Sequence, residues 1–194
     1  MNDPNGLTPL QRAVAIYSQD VFGEKAEIYT YAREDFPERS MIMKTPDCPL
    51  DGSTTSSSIG LSSHSQPNFG KSVNIEIVGA CSSSNVDYGN IMSSCVFECL
   101  MNKRQITYGA YFDNVIDQYR PNSNMKHITF VAPFYWDNIL THKSLGGIDI
   151  YWLYALPIAD SERDFLRRNG IDRLERELQN QDADIMDLDR LPIF

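Results

Sequence analysis

The sequence predicts an α+β fold, in which a single mixed, mostly antiparallel sheet is flanked by helices. Three observations support this prediction. Residues 73–80 and 148–156 combine apolar positions with β-branched and aromatic side chains, as buried strands do. Residues 9–23 and 88–103 repeat apolar residues at helical spacing. Strands and helices follow one another without a regular alternation, which disfavours a doubly wound parallel sheet.

The length of 194 residues fits one conventional domain with its own core. We expect this domain to span residues 8–191, with flexible ends at 1–7 and 192–194. The four cysteines are too sparse for a disulfide scaffold, and neither a signal peptide nor a membrane-spanning apolar run is visible. These features predict a soluble cytoplasmic protein without a membrane partner.

In the first third of the chain, Thr8 and Pro9 are suited to begin a helix that Gly23 ends. A strand is predicted over Ala26–Ala32, where polar and apolar residues nearly alternate. The residues Asp35-Phe36-Pro37 are expected to break this strand, and a short second strand follows at residues 41–44, before a turn at 47–52.

Residues 53–65 are rich in serine and threonine and permit two interpretations. Low complexity is typical of a linker. Alternatively, the segment is a strand of small residues, interrupted at Gly60 by a bulge or a close approach of another group. In the strand that follows, Val73, Ile75 and Ile77 are predicted to face away from Glu76.

A core helix is predicted over residues 88–103 because its apolar stripe is wide. A strand buried on both faces is expected at 125–135, followed by a loop over 136–147. The strand at 148–156 is expected to end at Pro157, which lacks a backbone donor.

The last quarter of the chain has the pattern of two short helices followed by a polar tail. Asp160 or Ser161 is expected to cap the first helix, with Ser161 to Asp164 resembling a capping box. Asn169-Gly170 supplies a left-handed stop. A second amphipathic helix and the tail Asp187-Leu188-Asp189-Arg190 follow.

Catalytic and metal-binding patterns are absent from the sequence. Cys95 and Cys99 lie on one helix face, but none of the three histidines has ligand spacing to this pair, so two buried apolar thiols are the simpler interpretation. A hydrolase would have to use His64 and its neighbouring serines. Adjacent strand residues point to opposite faces, and the Gly-x-Ser-x-Gly elbow is missing. We therefore expect no enzyme activity, cofactor or metal.

The order of several short motifs resembles the bacterial suppressor of fused family. The carboxyl-terminal motifs are Leu156-Pro157-Ile158, then Ser161-Glu162-Arg163 and Asn169-Gly170, then a short helix and Asp187 to Arg190. Upstream, residues 54–66 look like a strand of that family, and the strand at 73–78 lies at the corresponding place. The resemblance spans roughly residues 10–191. It departs from the family around Ser56–Ser58, where larger residues are expected.

The resemblance implies a non-catalytic binding protein. Bacterial members resemble immunity proteins that bind and block a cognate toxin, whereas animal members bind a transcription-factor peptide partly as an added strand. The chain has room for only the amino-terminal half of the animal architecture. The expected function is therefore toxin neutralisation, with a peptide-binding regulator that acts by strand addition to a sheet edge as the alternative.

The charge of the chain is consistent with a basic protein partner. The net charge is −9, and residues from Pro157 onward include ten acidic and six basic side chains. This balance disfavours a nucleic-acid partner, because phosphate binding requires a basic surface. The densest acidic group, predicted as the partner-binding surface, consists of Asp182, Asp184, Asp187 and Asp189. The competing interpretation is a solvated, partly frayed tail. The oligomeric state is left open.

Overall fold

The computed structural model describes residues 6–68, 71–136 and 139–194. The first helix, α1, spans Pro9–Phe22 and is followed by the strands β1 (Glu27–Arg33), β2 (Phe36–Pro46), β3 (Ser53–Ser58), β4 (Gln66–Asn68) and β5 (Lys71–Ser82). Helix α2 spans Tyr88–Asn102. The strands β6 (Tyr111–Phe112), β7 (His127–Val131), β8 (His142–Leu145) and β9 (Ile148–Ile158) follow, and the helices α3 (Asp160–Asn169) and α4 (Ile171–Asn180) come last.

Within the described residues, these nine strands form one sheet, whose main path is β1-β2-β3-β5-β9-β7-β6. Strand β4 adds to β5, and β8 adds to β9. The β5–β9 pair is parallel, with Asn74 opposite Ile150, and the remaining described pairs are antiparallel. The predicted α+β class with a mixed, mostly antiparallel sheet and flanking helices is therefore confirmed.

Alternation along the central strands builds a core on each face of the sheet. Ile75 and Ile77 pack on the face that α2 covers, whereas Val78 and Ala80 pack on the face that α1, α3 and α4 cover. The side chains of β9 also alternate between the two faces, and Trp152 lies on the face that α1, α3 and α4 cover. On the polar side of β5, Glu76 is fully buried and Asn74 is partly exposed.

Several local predictions are confirmed. Thr8 caps α1 in a capping box with Gln11, and Gly23 ends the helix. Gly60 has a φ of 101° and lies so close to α1 that an added Cβ would be 2.7 Å from the Gln11 side chain, which is the predicted close approach. Gly170 ends α3, as expected.

Other predicted boundaries are wrong for identifiable reasons. Phe36 begins β2 instead of interrupting a strand, and the reversal occupies Glu34 and Asp35. Strand β8 lies inside the predicted loop 136–147, of which residues 137 and 138 lie outside the described residues. This strand is largely exposed, so it lacks the apolar alternation on which the prediction depends.

Pro157 lies within β9 instead of ending it. The β5 pairing stops at Tyr154, so no strand among the described residues pairs on that side of Pro157, and proline is tolerated at such edge positions. Strand β7 still pairs on the other side, with Ile128 opposite Pro157. The cap of α3 is Ala159, which precedes both of the predicted cap residues, Asp160 and Ser161.

The extent of the domain, predicted as residues 8–191, stays a prediction. Residues 1–5 of the expected flexible amino-terminal end lie outside the described residues. Leu7 packs against the core on the face that α1, α3 and α4 cover. At the other end, the ring of Phe194 stacks on Phe165 with centroids 4.1 Å apart. None of the helices in the described ranges combines the length and apolar composition needed to cross a membrane.

Candidate partner-binding site

The segment after α4 packs against the sheet and is not a frayed tail. Leu188 is fully buried, and Met186 is nearly so. The backbone N–H of Ser82 donates to the Met186 carbonyl at 3.2 Å, and that of Met125 donates to the Leu188 carbonyl at 3.2 Å. These bonds fix residues 186–188 against the end of β5 and the segment that precedes β7.

A buried ion pair holds this segment to α3. The Arg190 guanidinium donates to both carboxylate oxygens of Glu162, at 2.6 and 2.8 Å. Glu162 also accepts the backbone N–H of Ala159 at 2.9 Å and that of Ile193 at 3.1 Å. The Glu162 side chain is 0% exposed, and the Arg190 side chain is 6% exposed. The sequence pattern places one residue in a helix cap and the other in a polar tail, so it does not reveal this pair.

The four carboxylates predicted as a contact surface have different environments. Asp189 pairs with Arg120 at 2.7 Å, and Asp187 accepts the backbone N–H of Asp189. Asp184 accepts the backbone N–H of Met186 at 3.1 Å. Asp182 is exposed and has no side-chain bond within the described residues. Three of the four therefore make bonds within the domain, and only Asp182 is left entirely to solvent.

Beside Asp182 and Asp184 lies a cleft of about 540 Å³ with an apolar interior. Its floor is formed by Val131, Leu156 and Leu178, all of them buried. One wall is aromatic. It consists of Phe134, which is 44% exposed, and Tyr135, with the two ring centroids 4.6 Å apart. The cleft thus presents apolar surface to solvent at a place where core residues lie directly beneath.

The rim of this cleft is polar and acidic. It carries Glu175 and Gln179 from α4, and Asp182 from the turn that follows. The hydroxyl of Tyr108 donates to Asp172 at 3.1 Å and to Glu175. Within the described residues, the carboxylates of Asp172, Glu175 and Asp182 form no ion pair with a basic side chain. The rim therefore carries carboxylates that are not engaged in ion pairs within the described residues.

Two tyrosines have environments that reflect this charge. Burial raises the pKa of Tyr108, and the carboxylates of Glu175 and Asp172 raise it further. Burial also raises the pKa of Tyr135, with an added contribution from Asp184. In both cases the negative charge nearby disfavours ionisation of the phenol.

The residues considered for a hydrolase are not arranged for nucleophilic attack. Ser62 is buried, and its hydroxyl donates to Glu76 at 2.6 Å. His64 lies 3.2 Å from Glu38 and is about half exposed. Cys95 and Cys99 are buried, as predicted, and burial raises the pKa of both thiols. Among the described residues, histidine, cysteine and carboxylate side chains form no cluster of three suited to a metal.

A buried carboxylate without a distinctive sequence signal lies in β5, beside the end of β3. Glu76 accepts the backbone N–H groups of Gly60 at 2.8 Å and Ser62 at 3.0 Å, and it also accepts hydroxyl bonds from Ser62 and Ser58. Burial raises the pKa of Glu76, and these hydrogen bonds partly oppose the shift. The serines at 58 and 62 thus have a structural role, which explains a small residue at position 58, where a larger one is expected.

The comparisons with known proteins agree with this architecture. The model of the Suppressor of fused protein (SUFU) family matches residues 37–191. The chain belongs to the Suppressor of fused protein family. It is 33% identical over 188 residues to the Immunity protein YqcF of Bacillus subtilis (strain 168), and the match covers 95% of this chain and 97% of that protein. The predicted family is thereby confirmed.

Solved structures of the same family have the same fold. A SUFU homolog from Neisseria gonorrhoeae FA 1090 has a TM-score of 0.75 at 15% identity, covering 95% of this chain and 97% of that one. A chain of the Sufu–Fu complex has a TM-score of 0.70 at 11% identity, covering 96% and 93%. The structure of Drosophila Suppressor of Fused has a TM-score of 0.61 at 10% sequence identity. The match covers 99% of this chain and 54% of that one. This chain therefore corresponds to about half of the Drosophila protein.

Proposed function

We propose that this protein is a non-catalytic binding domain that neutralises a cognate bacterial toxin in the cytoplasm. The observation that carries the proposal is the full-length similarity to a protein named as an immunity protein. A domain-sized match over nearly all of both chains favours a common type of function more than a shared short motif would.

The charge of the chain supports the proposal. Its net charge is −9, and a toxin that attacks nucleic acid carries basic surface to bind phosphate. Opposite charges raise the association rate of two proteins, and added salt screens this effect. We therefore expect that raising the salt concentration slows formation of the complex much more than it speeds dissociation.

Co-expression with a toxin-like gene that neighbours this one tests the proposal. Cells that express the toxin together with this protein should survive, and the two proteins should co-elute as a stoichiometric complex on gel filtration. Cells that express the toxin alone should die. Equal killing in both cultures, without a complex, would show that the protein is not the immunity partner of that toxin.

A peptide-binding regulator that acts by strand addition is the second candidate, because β1 supplies an edge on which it could act. Strand β1 pairs with β2 on one side, and within the described residues it has no strand on the other. Its side chains are mostly exposed, including Tyr29 at 44%. Strand addition bonds through the backbone and needs no acidic side chain, so Glu175→Gln/Asp182→Asn should leave such binding intact, whereas toxin binding through an acidic surface should weaken.

A further inference from the structure

We infer that the cleft beside α4 is the docking site for a segment of the protein partner that carries an arginine or lysine next to an apolar side chain. The inference rests on the proposed function for the existence of a partner, and it adds the place and the chemistry of the contact. It also moves the centre of the predicted surface from Asp187 and Asp189 to Glu175 and Asp182.

The interior of the cleft offers an apolar surface to a partner. Partly exposed Phe134 stands beside the buried floor residues Leu156 and Leu178. Aromatic anchors next to a pocket are typical of residues that dominate binding energy at interfaces. An apolar side chain from the partner would displace water from these apolar side chains.

The mouth of the cleft is negatively charged. Glu175 and Asp182 lie at the mouth, and Asp184 lies close enough to affect the pKa of Tyr135. In the described part of the chain, none of these carboxylates has a basic partner. A cation in the mouth would face them and the Phe134 ring together, a combination that favours arginine or lysine. An acidic or phosphorylated segment would be repelled.

The carboxylates near the end of the chain are less available than those of the rim. Asp189 already pairs with Arg120, and Asp187 holds a turn through the Asp189 backbone N–H. Asp189 already has a cationic partner, and both side chains are held in place by bonds within the domain. Glu175 accepts a hydroxyl bond from Tyr108, and within the described residues the Asp182 side chain makes no bond. The cleft rim is thus the part of the acidic surface that is free to bind a cation.

A tripeptide titration tests the cleft without a toxin. Acetyl-Arg-Trp-Arg-amide should shift the methyl resonances of Leu156, Leu178 and Ile185 in a two-dimensional NMR spectrum, and 0.5 M NaCl should weaken the effect. Acetyl-Glu-Trp-Glu-amide is the matched control and should leave these methyls unchanged. Equal shifts with both peptides, or none with the basic one, would overturn the inference.

A pair of surface variants tests the cleft with the toxin that the wild-type protein neutralises. Gln179 is exposed and lines the cleft, so Gln179→Trp should obstruct it and raise the dissociation constant at least tenfold. Gln181→Trp is the control, because Gln181 is exposed two residues away and does not line the cleft. Unchanged affinity for Gln179→Trp would refute the docking site while leaving the neutralising function intact.

A charge test uses two double variants. Glu175→Gln/Asp182→Asn should slow association, whereas Glu34→Gln/Asp51→Asn changes the net charge equally at exposed positions elsewhere. Equal association rates for both double variants would contradict the assigned contact. Failure of the wild-type protein to protect cells would refute the proposed function, and the tripeptide titration would still decide whether the cleft accepts a basic segment.

Discussion

Replacing Arg190 by methionine should destabilise this domain far more than loss of a surface ion pair would. Arg190 and Glu162 are almost completely buried, and the guanidinium contacts both carboxylate oxygens. Methionine keeps an apolar stem similar to that of arginine but removes the cation. The Glu162 carboxylate would then be left buried with only the backbone N–H groups of Ala159 and Ile193.

The expected cost follows from this geometry. Removing one member of a buried ion pair costs about 3–5 kcal/mol, because the remaining charge is uncompensated. A domain is typically stable by about 5–15 kcal/mol, so Arg190→Met would remove a large share of the total. The double variant Glu162→Gln/Arg190→Met should recover part of this loss, because it leaves no buried charge and the glutamine side-chain carbonyl can still accept N–H bonds.

Urea denaturation of the wild-type protein, both single variants and the double variant measures these quantities as a double-mutant cycle. Lys25→Met is the control, since Lys25 pairs with Asp47 at 3.2 Å and both side chains are at least half exposed. Its loss should cost about 0–1 kcal/mol. If Arg190→Met cost no more than Lys25→Met, the segment after α4 would not be held by a buried pair in solution, and this account of its packing would be wrong.

Three further outcomes are expected. Trp152 is 1% exposed, so Trp152→Ala should cost about 3–5 kcal/mol in a urea titration, and a cost below about 1 kcal/mol would place the ring at the surface. Burial raises the pKa of Glu76, so the folded state binds the Glu76 proton more tightly than the unfolded state does. This residue therefore makes the free energy of unfolding fall as the pH rises above 4.5, the ordinary pKa of a glutamate side chain. The difference in urea midpoint between wild type and Glu76→Gln should therefore vary with pH, and a constant difference from pH 4 to pH 8 would contradict the shift. The triple reversal of Asp184, Asp187 and Asp189 to lysine should lower the melting temperature measurably, because it breaks the Arg120 pair and two turn contacts, whereas an unchanged melting temperature would show that these bonds contribute little.

Local signals were enough to predict much of the fold. Thr8, Pro9 and Gly23 fix the ends of α1 through capping chemistry that involves only neighbouring residues. The alternation in residues 73–80 and the apolar stripe of α2 predict which side chains are buried, because burial follows from periodicity. The order of short motifs along the whole chain predicted the family, which the comparisons confirm.

The errors in the element boundaries come from residues whose neighbours are distant in sequence. Pro157 stays in β9 because the parallel pairing with β5 stops before it, a fact of sheet register that the local sequence does not contain. Strand β8 forms by pairing with β9 even though its own residues are largely exposed.

The sequence by itself determined the class of fold, the family and the acidic character of the chain, because these depend on composition, periodicity and motif order. The tertiary structure alone decided which acidic residues are free. Glu162 meets Arg190 across 28 positions, whereas Asp182 comes to lie beside Phe134 at the rim of a cleft. Charge is a property of each residue, but the availability of that charge depends on long-range contacts, which only the folded chain brings together.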